Sequence, residues 1–248
     1  MTPADAALVG AAGLLAGAIN AVAGGGTLVS FPALLAVGLP PVTANVTSSV
    51  GLLSGYLGGS VAYRRELADQ RPRLLSLLPS AVLGGVVGAV LLLLTPDVTF
   101  RALVPYLVLT SCALLAAQPR LARSLQRRQP DELTWAARSG VGIAAVYGSY
   151  FGAGLGVLLL AVLGILVADE LQRLNALKGL LSLVINIVGV AVFVASSHVA
   201  WIYAAVLTVT AGLGGTVGVG LARRLPPAAL RLAVVGLGTV VGVALLLS

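Results

Sequence analysis

Charged residues are scarce in this chain. Only 9% of its 248 residues are Asp, Glu, Lys or Arg, whereas soluble domains carry about 25%. So few charges cannot cover a water-exposed surface, which excludes an ordinary soluble domain. Three runs, 74–95, 185–195 and 232–247, contain no charge at all. A membrane-spanning helix needs about 20 apolar residues, which these runs supply together with their apolar flanks, so the sequence predicts an all-α integral membrane protein.

Residues that carry catalytic chemistry are also scarce. With one cysteine, Cys112, and one histidine, His198, the chain has no internal disulfide, no cysteine pair for a metal and no His-Glu-x-x-His motif. A phosphate-binding loop is absent too, and the acidic residues fall in connectors or near the N-terminus. We therefore predict no enzyme, no metal, no cofactor and no buried carboxylate relay for protons. Cys112 is expected to be a packing residue, and His198 to lie in an outer connector.

Hydrophobic residues are abundant, at 58%, and fall into eight apolar elements. These elements span 6–39, 43–63, 74–94, 100–117, 139–168, 174–195, 200–222 and 226–247. The net charge of +7 comes from basic residues in the short connectors, which is typical of the positive-inside rule and not of nucleic-acid binding. We predict a first transmembrane repeat at 1–117, a basic cytoplasmic connector at 118–138 and a second repeat at 139–248.

The first and fifth elements are long and interrupted by glycine. Gly24-Gly25-Gly26 breaks the first, and Gly152-Ala153-Gly154 breaks the fifth. Glycine weakens helices, so each element is expected to hold two short helical pieces joined by non-helical backbone. The two breaks align at an offset of 128, and Asn45 aligns with Asn175 at an offset of 130. This indicates an internal repeat, with the shared composition of glycine-rich membrane helices as the alternative.

The distribution of basic residues distinguishes two topologies. If all eight elements cross the membrane, nine Lys and Arg residues lie inside and six outside. If the first and fifth elements are re-entrant, entering and leaving on one side, the split becomes 14 to 1, which the positive-inside rule favours. Each half then has one broken re-entrant element plus three transmembrane helices, and the halves are inverted repeats. Both termini would lie outside the cytoplasm.

Candidate binding residues cluster around the two breaks. Backbone N–H groups at broken helices attract anions, and nearby amides and hydroxyls could hydrogen-bond an oxyanion. Lys178 could add positive charge, with snorkelling to the membrane surface as its alternative. The alternative for the glycines is close helix packing, and for the asparagines it is hydrogen bonding between helices. The predicted substrate-binding residues are Asn20, Gly24, Gly25, Gly26, Thr27, Asn45, Thr47, Ser48, Tyr150, Gly152, Gly154, Asn175 and Lys178. The pairs Gly84/Gly88 and Gly214/Gly218 are expected only to pack helices.

The order and spacing of these motifs resemble one known family. Residues 17–27 (Gly-Ala-Ile-Asn-Ala-Val-Ala-Gly-Gly-Gly-Thr), 32–34 (Pro-Ala-Leu) and 44–47 (Ala-Asn-Val-Thr) resemble the first-half signature of the TauE/SafE sulfite exporters, also called TSUP permeases. In the second half, 150–154 (Tyr-Phe-Gly-Ala-Gly) and 171–178 (Leu-Gln-Arg-Leu-Asn-Ala-Leu-Lys) are similar to the same family. The second half departs from the first by Gly-Ala-Gly in place of Gly-Gly-Gly and by Lys178 near the place of Ser48.

The resemblance implies a secondary transporter in the bacterial inner membrane. It implies alternating access for a small anion of the sulfite, thiosulfate or sulfoacetate class, with a proton as coupling ion. The expected partners are the anionic substrate and membrane lipid, and a homo-oligomer stays open. An anion channel of the same architecture and a non-transporting membrane subunit are the alternatives.

Overall fold

In the computed structural model the chain is a bundle of helices. The structure describes residues 1–22, 25–62, 67, 69–125, 135–167, 169–195, 199–222 and 227–247, without the side chains of 21–22, 58–62, 120–125, 171, 217–222 and 227–231. Within these ranges it has ten helices. They are α1 (Pro3–Val22), α2 (Thr27–Ala36), α3 (Pro41–Ala62), α4 (Arg71–Leu94), α5 (Asp97–Leu125), α6 (Trp135–Tyr150), α7 (Leu155–Leu166), α8 (Leu171–Ala195), α9 (Trp201–Ala222) and α10 (Pro227–Leu247).

The two long elements are each broken into two helices at the glycine clusters. The first becomes α1 and α2, and the fifth becomes α6 and α7. Of the four pieces, α2 and α7 are short, with 10 and 12 residues, as predicted. The pieces before the breaks are longer, with 20 residues in α1 and 16 in α6. Among the described residues, four helices are long and apolar enough to cross a membrane: Pro3–Asn20, Arg71–Leu94, Asp97–Pro119 and Gln172–Ala195. The chain is a multi-pass membrane protein.

Part of the predicted connector between the halves is helical. Helix α5 continues through Leu125, and α6 already begins at Trp135, so much of the predicted connector 118–138 is helical. The reason is that arginine and glutamine are good helix formers, so the low hydropathy of this stretch does not end the helix. Arg138 lies on the first turn of α6 and donates a hydrogen bond of 2.9 Å to the hydroxyl of Ser76 on α4.

The helices pack in pairs that correspond between the two halves. Helix α1 packs on α9 as α6 packs on α4, and α3 packs on α9 as α8 packs on α4. If each of α1–α5 is exchanged with its counterpart in α6–α10, the pair α1·α9 becomes α6·α4 and the pair α3·α9 becomes α8·α4. The pairs α3·α8 and α5·α10 are unchanged by this exchange. The chain therefore repeats its packing scheme as well as its glycine breaks.

Close backbone approach at glycine sets the direction of these pairs. A Cβ at Gly84 or Gly88 of α4 would lie 2.4 Å from the carbonyl of Gly142 or 2.1 Å from that of Val146, so α4 and α6 advance in the same direction. A Cβ at Gly214 of α9 would lie 2.0 Å from the carbonyl oxygen of Leu14 of α1. Gly84, Gly88 and Gly214 thus pack helices as predicted. The surroundings of Gly218 are outside the described part of the structure.

Candidate functional site

The two broken segments meet inside the bundle. A Cβ at Gly152, in the second break, would lie 3.4 Å from the hydroxyl oxygen of Thr27, the first residue of α2. Beside this contact, the rings of Phe31 and Phe151 pack edge to face with centroids 5.4 Å apart. Phe100 of α5 packs against Phe151 from another side. These fully buried rings fix the two breaks against each other.

The first break is held by Asn20. Its side-chain oxygen accepts a hydrogen bond of 2.7 Å from the N–H of Gly26, the residue before α2. A Cβ at Gly26 would lie 2.3 Å from the carbonyl oxygen of Ala16, so only glycine allows α2 to approach α1 this closely. Gly25 lies against Leu115 of α5, and Gly24 is outside the described residues. The amide nitrogen of Asn20 is buried and makes no hydrogen bond of ordinary geometry, although the hydroxyl of Tyr56 lies near this amide.

The second break depends on backbone conformation. Gly152 and Gly154 have φ angles of 80° and 81°, a left-handed conformation that side chains disfavour. Ser111 of α5 supports this segment, with its hydroxyl 3.0 Å from the carbonyl of Ala153 and 2.7 Å from the hydroxyl of Tyr147. The two breaks therefore need glycine for different reasons, a close approach in the first and a positive φ in the second.

Several backbone N–H groups at the second break have no backbone acceptor. In the described part of the chain, these groups belong to Gly152, Ala153, Gly154 and Gly156. They lie just before and within the first turn of α7, where the helix leaves its donors unpaired and its dipole is positive, as it is at the N-terminus of α2. Since Thr27 and Gly152 are in contact, both positive helix ends face one region of the bundle. Such an arrangement can bind an anion.

Asn45 and Tyr150 connect the two halves next to the breaks. The amide nitrogen of Asn45 donates a hydrogen bond of 2.9 Å to the carbonyl of Tyr150, the last residue of α6. The amide oxygen of Asn45 is buried without a partner. At the other end of its side chain, the Tyr150 hydroxyl lies 3.3 Å from that of Thr95. The structure thus brings both predicted residues to the second break.

Of Thr47 and Ser48, only Ser48 is linked to a break. The hydroxyl of Thr47 accepts a hydrogen bond of 3.0 Å from the N–H of Ala200, just before α9. Ser48 shares a hydrogen bond of 2.6 Å with Ser30, one turn into α2, and the Ser30 hydroxyl donates to the carbonyl of Gly26 at the first break. Both predicted residues are buried, and their contacts join α3 to neighbouring helices.

Lys178 and Asn175 pair with each other on α8. The Lys178 ammonium donates a hydrogen bond of 3.3 Å to the side-chain oxygen of Asn175, and Lys178 is only 7% exposed. Asn186, the α8 residue that reaches α3, lies eight positions further along, which is about 12 Å of helical rise. Helical side chains also lean toward the N-terminus, which carries the ammonium further from Asn186.

Sequence reasoning missed Tyr56, Ser30 and Ser111. The hydroxyl of Tyr56 interacts with the side-chain amides of both Asn20 and Asn186, so it connects the first break to α8. Tyr56 and Asn186 are separated by 130 positions, the same offset that relates Asn45 to Asn175. Extending that alignment along α3 and α8 would have found Tyr56. Nothing in the sequence around Ser111 marks it as the residue that supports the second break.

The chain resembles known membrane transport proteins over most of its length. Residues 9–245 match the family model described as Sulfite exporter TauE/SafE. Probable membrane transporter protein YfcA of Escherichia coli (strain K12) is 28% identical over 206 residues, which are 83% of this chain and 76% of that protein. A probable membrane transporter protein of Haemophilus influenzae is 25% identical over 206 residues, which are 83% of this chain and 80% of that protein.

Proposed function

The chain belongs to the sulfite exporter TauE/SafE family of membrane transporters, and we propose that it carries a small anion across the bacterial inner membrane by alternating access. The substrate is a sulfur-containing oxyanion or organosulfonate, of the sulfite, thiosulfate or sulfoacetate class. The proton is the coupling ion, and its gradient drives transport of the substrate. The chain moves its substrate without chemical change and is not an enzyme.

One observation carries this proposal, the contact between Gly152 and Thr27. It brings the N-termini of α2 and α7 together, and the unpaired backbone N–H groups beside α7 can replace the water around an anion. In a membrane, non-helical backbone is tolerated where it lines a cavity or binds a ligand. A sulfur oxyanion offers several acceptor oxygens to these donors and to the buried amide nitrogen of Asn20.

The corresponding packing of the two halves supports an inverted repeat. The pairs α1·α9 and α6·α4, and the pairs α3·α9 and α8·α4, exchange when the halves are exchanged. The re-entrant topology that places 14 basic residues inside relates the halves by inversion, with both termini outside. Broken helices near the interface of two inverted repeats are a common plan of secondary transporters, in which the repeats move relative to one another.

Uptake into proteoliposomes tests this function. Labelled sulfite, thiosulfate and sulfoacetate are offered with and without a pH gradient, to the wild type and to Gly152→Ala. We expect saturable uptake of at least one anion by the wild type, stimulated by the gradient. Gly152→Ala should lose most of it, because alanine disfavours the φ of 80° at the second break.

Gly38→Ala is the matched control for backbone strain. Gly38 also has a positive φ, of 88°, but it lies at the end of α2 and has no atom within 4 Å of its Cβ position. Its uptake should match the wild type. An equal loss of uptake in Gly38→Ala and Gly152→Ala would show that backbone strain alone abolishes uptake. Flux that rises linearly with concentration would indicate a channel, and no flux of any anion would contradict the proposed function.

A further inference from the structure

A groove runs along the outer surface of the bundle between α4 and α6. It is lined by Leu83 and Val87 of α4 and by Trp135 and Ile143 of α6, and all four side chains are exposed. The groove has a volume of about 460 Å³. None of the described residues at the two breaks lines it, and those residues are buried. The groove is therefore a separate place on the molecule.

Small residues between the two helices leave this space open. Ser80, Gly84 and Gly142 all line the groove, and Gly84 lies against the backbone carbonyl of Gly142. On α6 the lining residues extend from Trp135 to Val146, which is about 16 Å of helical rise. The hydrocarbon of one leaflet is about 15 Å thick, half of the bilayer core. The groove thus has the length of an acyl chain in one leaflet.

The groove has a polar end at the start of α6. Trp135, Arg138 and Ser139 line it there. Helix α4 advances in the same direction as α6, so its first residues, which include Arg71 and Arg73, lie on the same side of the bundle. Tryptophan is enriched at membrane–water interfaces, and the positive-inside rule assigns a basic end of this kind to the cytoplasm. The polar end therefore lies at the level of the lipid headgroups in the cytoplasmic leaflet.

Arg138 is a fixed cation with donors to spare at this end. Its Nε and Nη2 groups donate hydrogen bonds of 3.3 and 2.9 Å to the hydroxyl of Ser76. A guanidinium has five donors, so three remain for a ligand. Among the described residues no carboxylate pairs with Arg138, and its side chain is exposed. Free guanidinium donors are well suited to bind the oxygens of a phosphate.

An anionic phospholipid matches both parts of the groove. Its phosphate complements the cation, and its acyl chain complements the apolar walls. A second copy of this chain is less suitable, because a twofold dimer places the same surface of each copy against the other. Arg138 would then face Arg138 of the other copy at the same depth, and the two like charges would repel.

We propose that the groove between α4 and α6 binds an anionic phospholipid of the cytoplasmic leaflet. Its phosphate lies on Arg138, and one acyl chain lies along Leu83, Val87 and Ile143. The bound lipid contacts α6, the helix that ends at the second break. This site goes beyond the proposed function and does not depend on which anion the chain transports.

Quenching of Trp135 fluorescence by brominated lipids tests this site. The full chain has two tryptophans, so Trp201→Phe leaves Trp135 as the only one. This variant is reconstituted into vesicles of equal parts phosphatidylglycerol and phosphatidylcholine, with bromine on the acyl chains of one lipid or the other. Comparison of the two quenching levels gives the relative affinity of the lipids beside Trp135. We expect phosphatidylglycerol to be preferred about fivefold, the attraction that one arginine supplies near the membrane surface.

Substitutions in the Trp201→Phe background identify the source of the preference. Arg138→Gln should reduce it to about one, and Arg138→Lys, which keeps the charge, should retain most of it. Arg101→Gln is the matched control, because it removes an exposed arginine of α5 that does not line the groove and should leave the preference unchanged.

Two results would overturn the lipid site. One is a preference that is absent before substitution or that is unchanged in Arg138→Gln. The other is weak quenching by both brominated lipids, which would show that protein covers the groove. Neither result bears on the proposed function, because quenching is measured without any transported anion.

Discussion

The side chain of Asn45 on α3 donates a hydrogen bond of 2.9 Å to the carbonyl of Tyr150 at the end of α6. The two residues are 105 positions apart, so the first half of the chain holds the end of the broken helix in the second. A buried carbonyl at the end of a helix has no intrahelical donor. Asn45 therefore replaces water as the partner of the Tyr150 carbonyl inside the bundle.

Asn45→Leu should destabilise the protein and reduce transport. Leucine fills a similar volume but cannot donate, and an unsatisfied buried carbonyl costs about 1–3 kcal/mol. A thermal unfolding scan in detergent should show a lower Tm. Ser49→Ala is the control, because among the described residues the Ser49 hydroxyl hydrogen-bonds only to the carbonyl of Asn45 within its own helix. A Tm of Asn45→Leu equal to that of Ser49→Ala would contradict the role of this contact.

Asn20→Asp should reduce anion binding while leaving the first break intact. A carboxylate oxygen can still accept the hydrogen bond from Gly26, so the local structure should persist. The buried amide nitrogen of Asn20, which lies near the hydroxyl of Tyr56, would be replaced by a second oxygen. An ionised carboxylate would repel the anion, and a protonated one would offer only a single donor. We expect binding of labelled sulfite to weaken about tenfold or more with little change in Tm.

Two outcomes would argue against this account of Asn20. Unchanged sulfite affinity in Asn20→Asp would move the anion away from this side chain. A large fall in Tm would show that the amide nitrogen, not only the oxygen, is needed for the fold. Asn20→Leu distinguishes the two roles, because it also removes the acceptor for Gly26 and should lower both Tm and binding.

An ion-pair cluster joins the starts of α4 and α8. Asp169 pairs with Arg73 of α4 and, at 2.8 Å, with Arg173 of α8. Burial by itself raises the pKa of Asp169. The hydrogen bonds from Arg173 and from the N–H of Glu170, with the charges of Arg173 and Arg73, outweigh burial and hold the pKa below the usual range of an aspartate. The cluster connects the two halves on the side where the basic residues gather.

The stability from this cluster should depend on pH in one direction. Because the pKa of Asp169 is lowered by folding, its contribution is fully present above the unfolded pKa of about 3.9 and is lost as the pH falls through the folded value. Asp169→Asn should therefore have a lower Tm than the wild type at pH 5–7, and the two should converge at more acidic pH. Glu170→Gln is the control, since it removes the same charge from an exposed neighbour. A difference that stays constant down to pH 3 would contradict the pairing.

Gly214→Ala should destabilise the pair α1·α9. Its Cβ would lie 2.0 Å from the carbonyl oxygen of Leu14, so the two helices would have to separate. Gly236→Ala on α10 is a matched control, because nothing lies within 4 Å of that Cβ position. Alanine is favoured over glycine in a helix by about 1 kcal/mol, so Gly236→Ala should keep or raise the Tm. Equal Tm values for the two variants would show that the contact with Leu14 does not hold α1 on α9.

The sequence alone determined that this is a helical membrane protein with two broken elements. Apolar run length and local glycine content are properties of neighbouring residues, and they specify a membrane-spanning helix or its interruption without reference to the rest of the fold. For the same reason, the boundaries of α4, α8, α9 and α10 lie within three residues of those expected from the apolar runs. The end of α5 does not, because polar residues with high helix propensity can extend a helix beyond the apolar run.

Tertiary structure alone decided which of the candidate residues meet. Thr27 contacts Gly152, and Asn45 binds Tyr150, although each pair is more than 100 positions apart in the sequence. Lys178 is predicted for the same site, yet its hydrogen bond goes to Asn175 on its own helix. Contacts of this kind depend on how each helix is rotated and tilted against its neighbours. That orientation comes from packing at glycines such as Gly26, Gly88 and Gly214, whose partners lie in distant helices or turns that the local sequence does not identify.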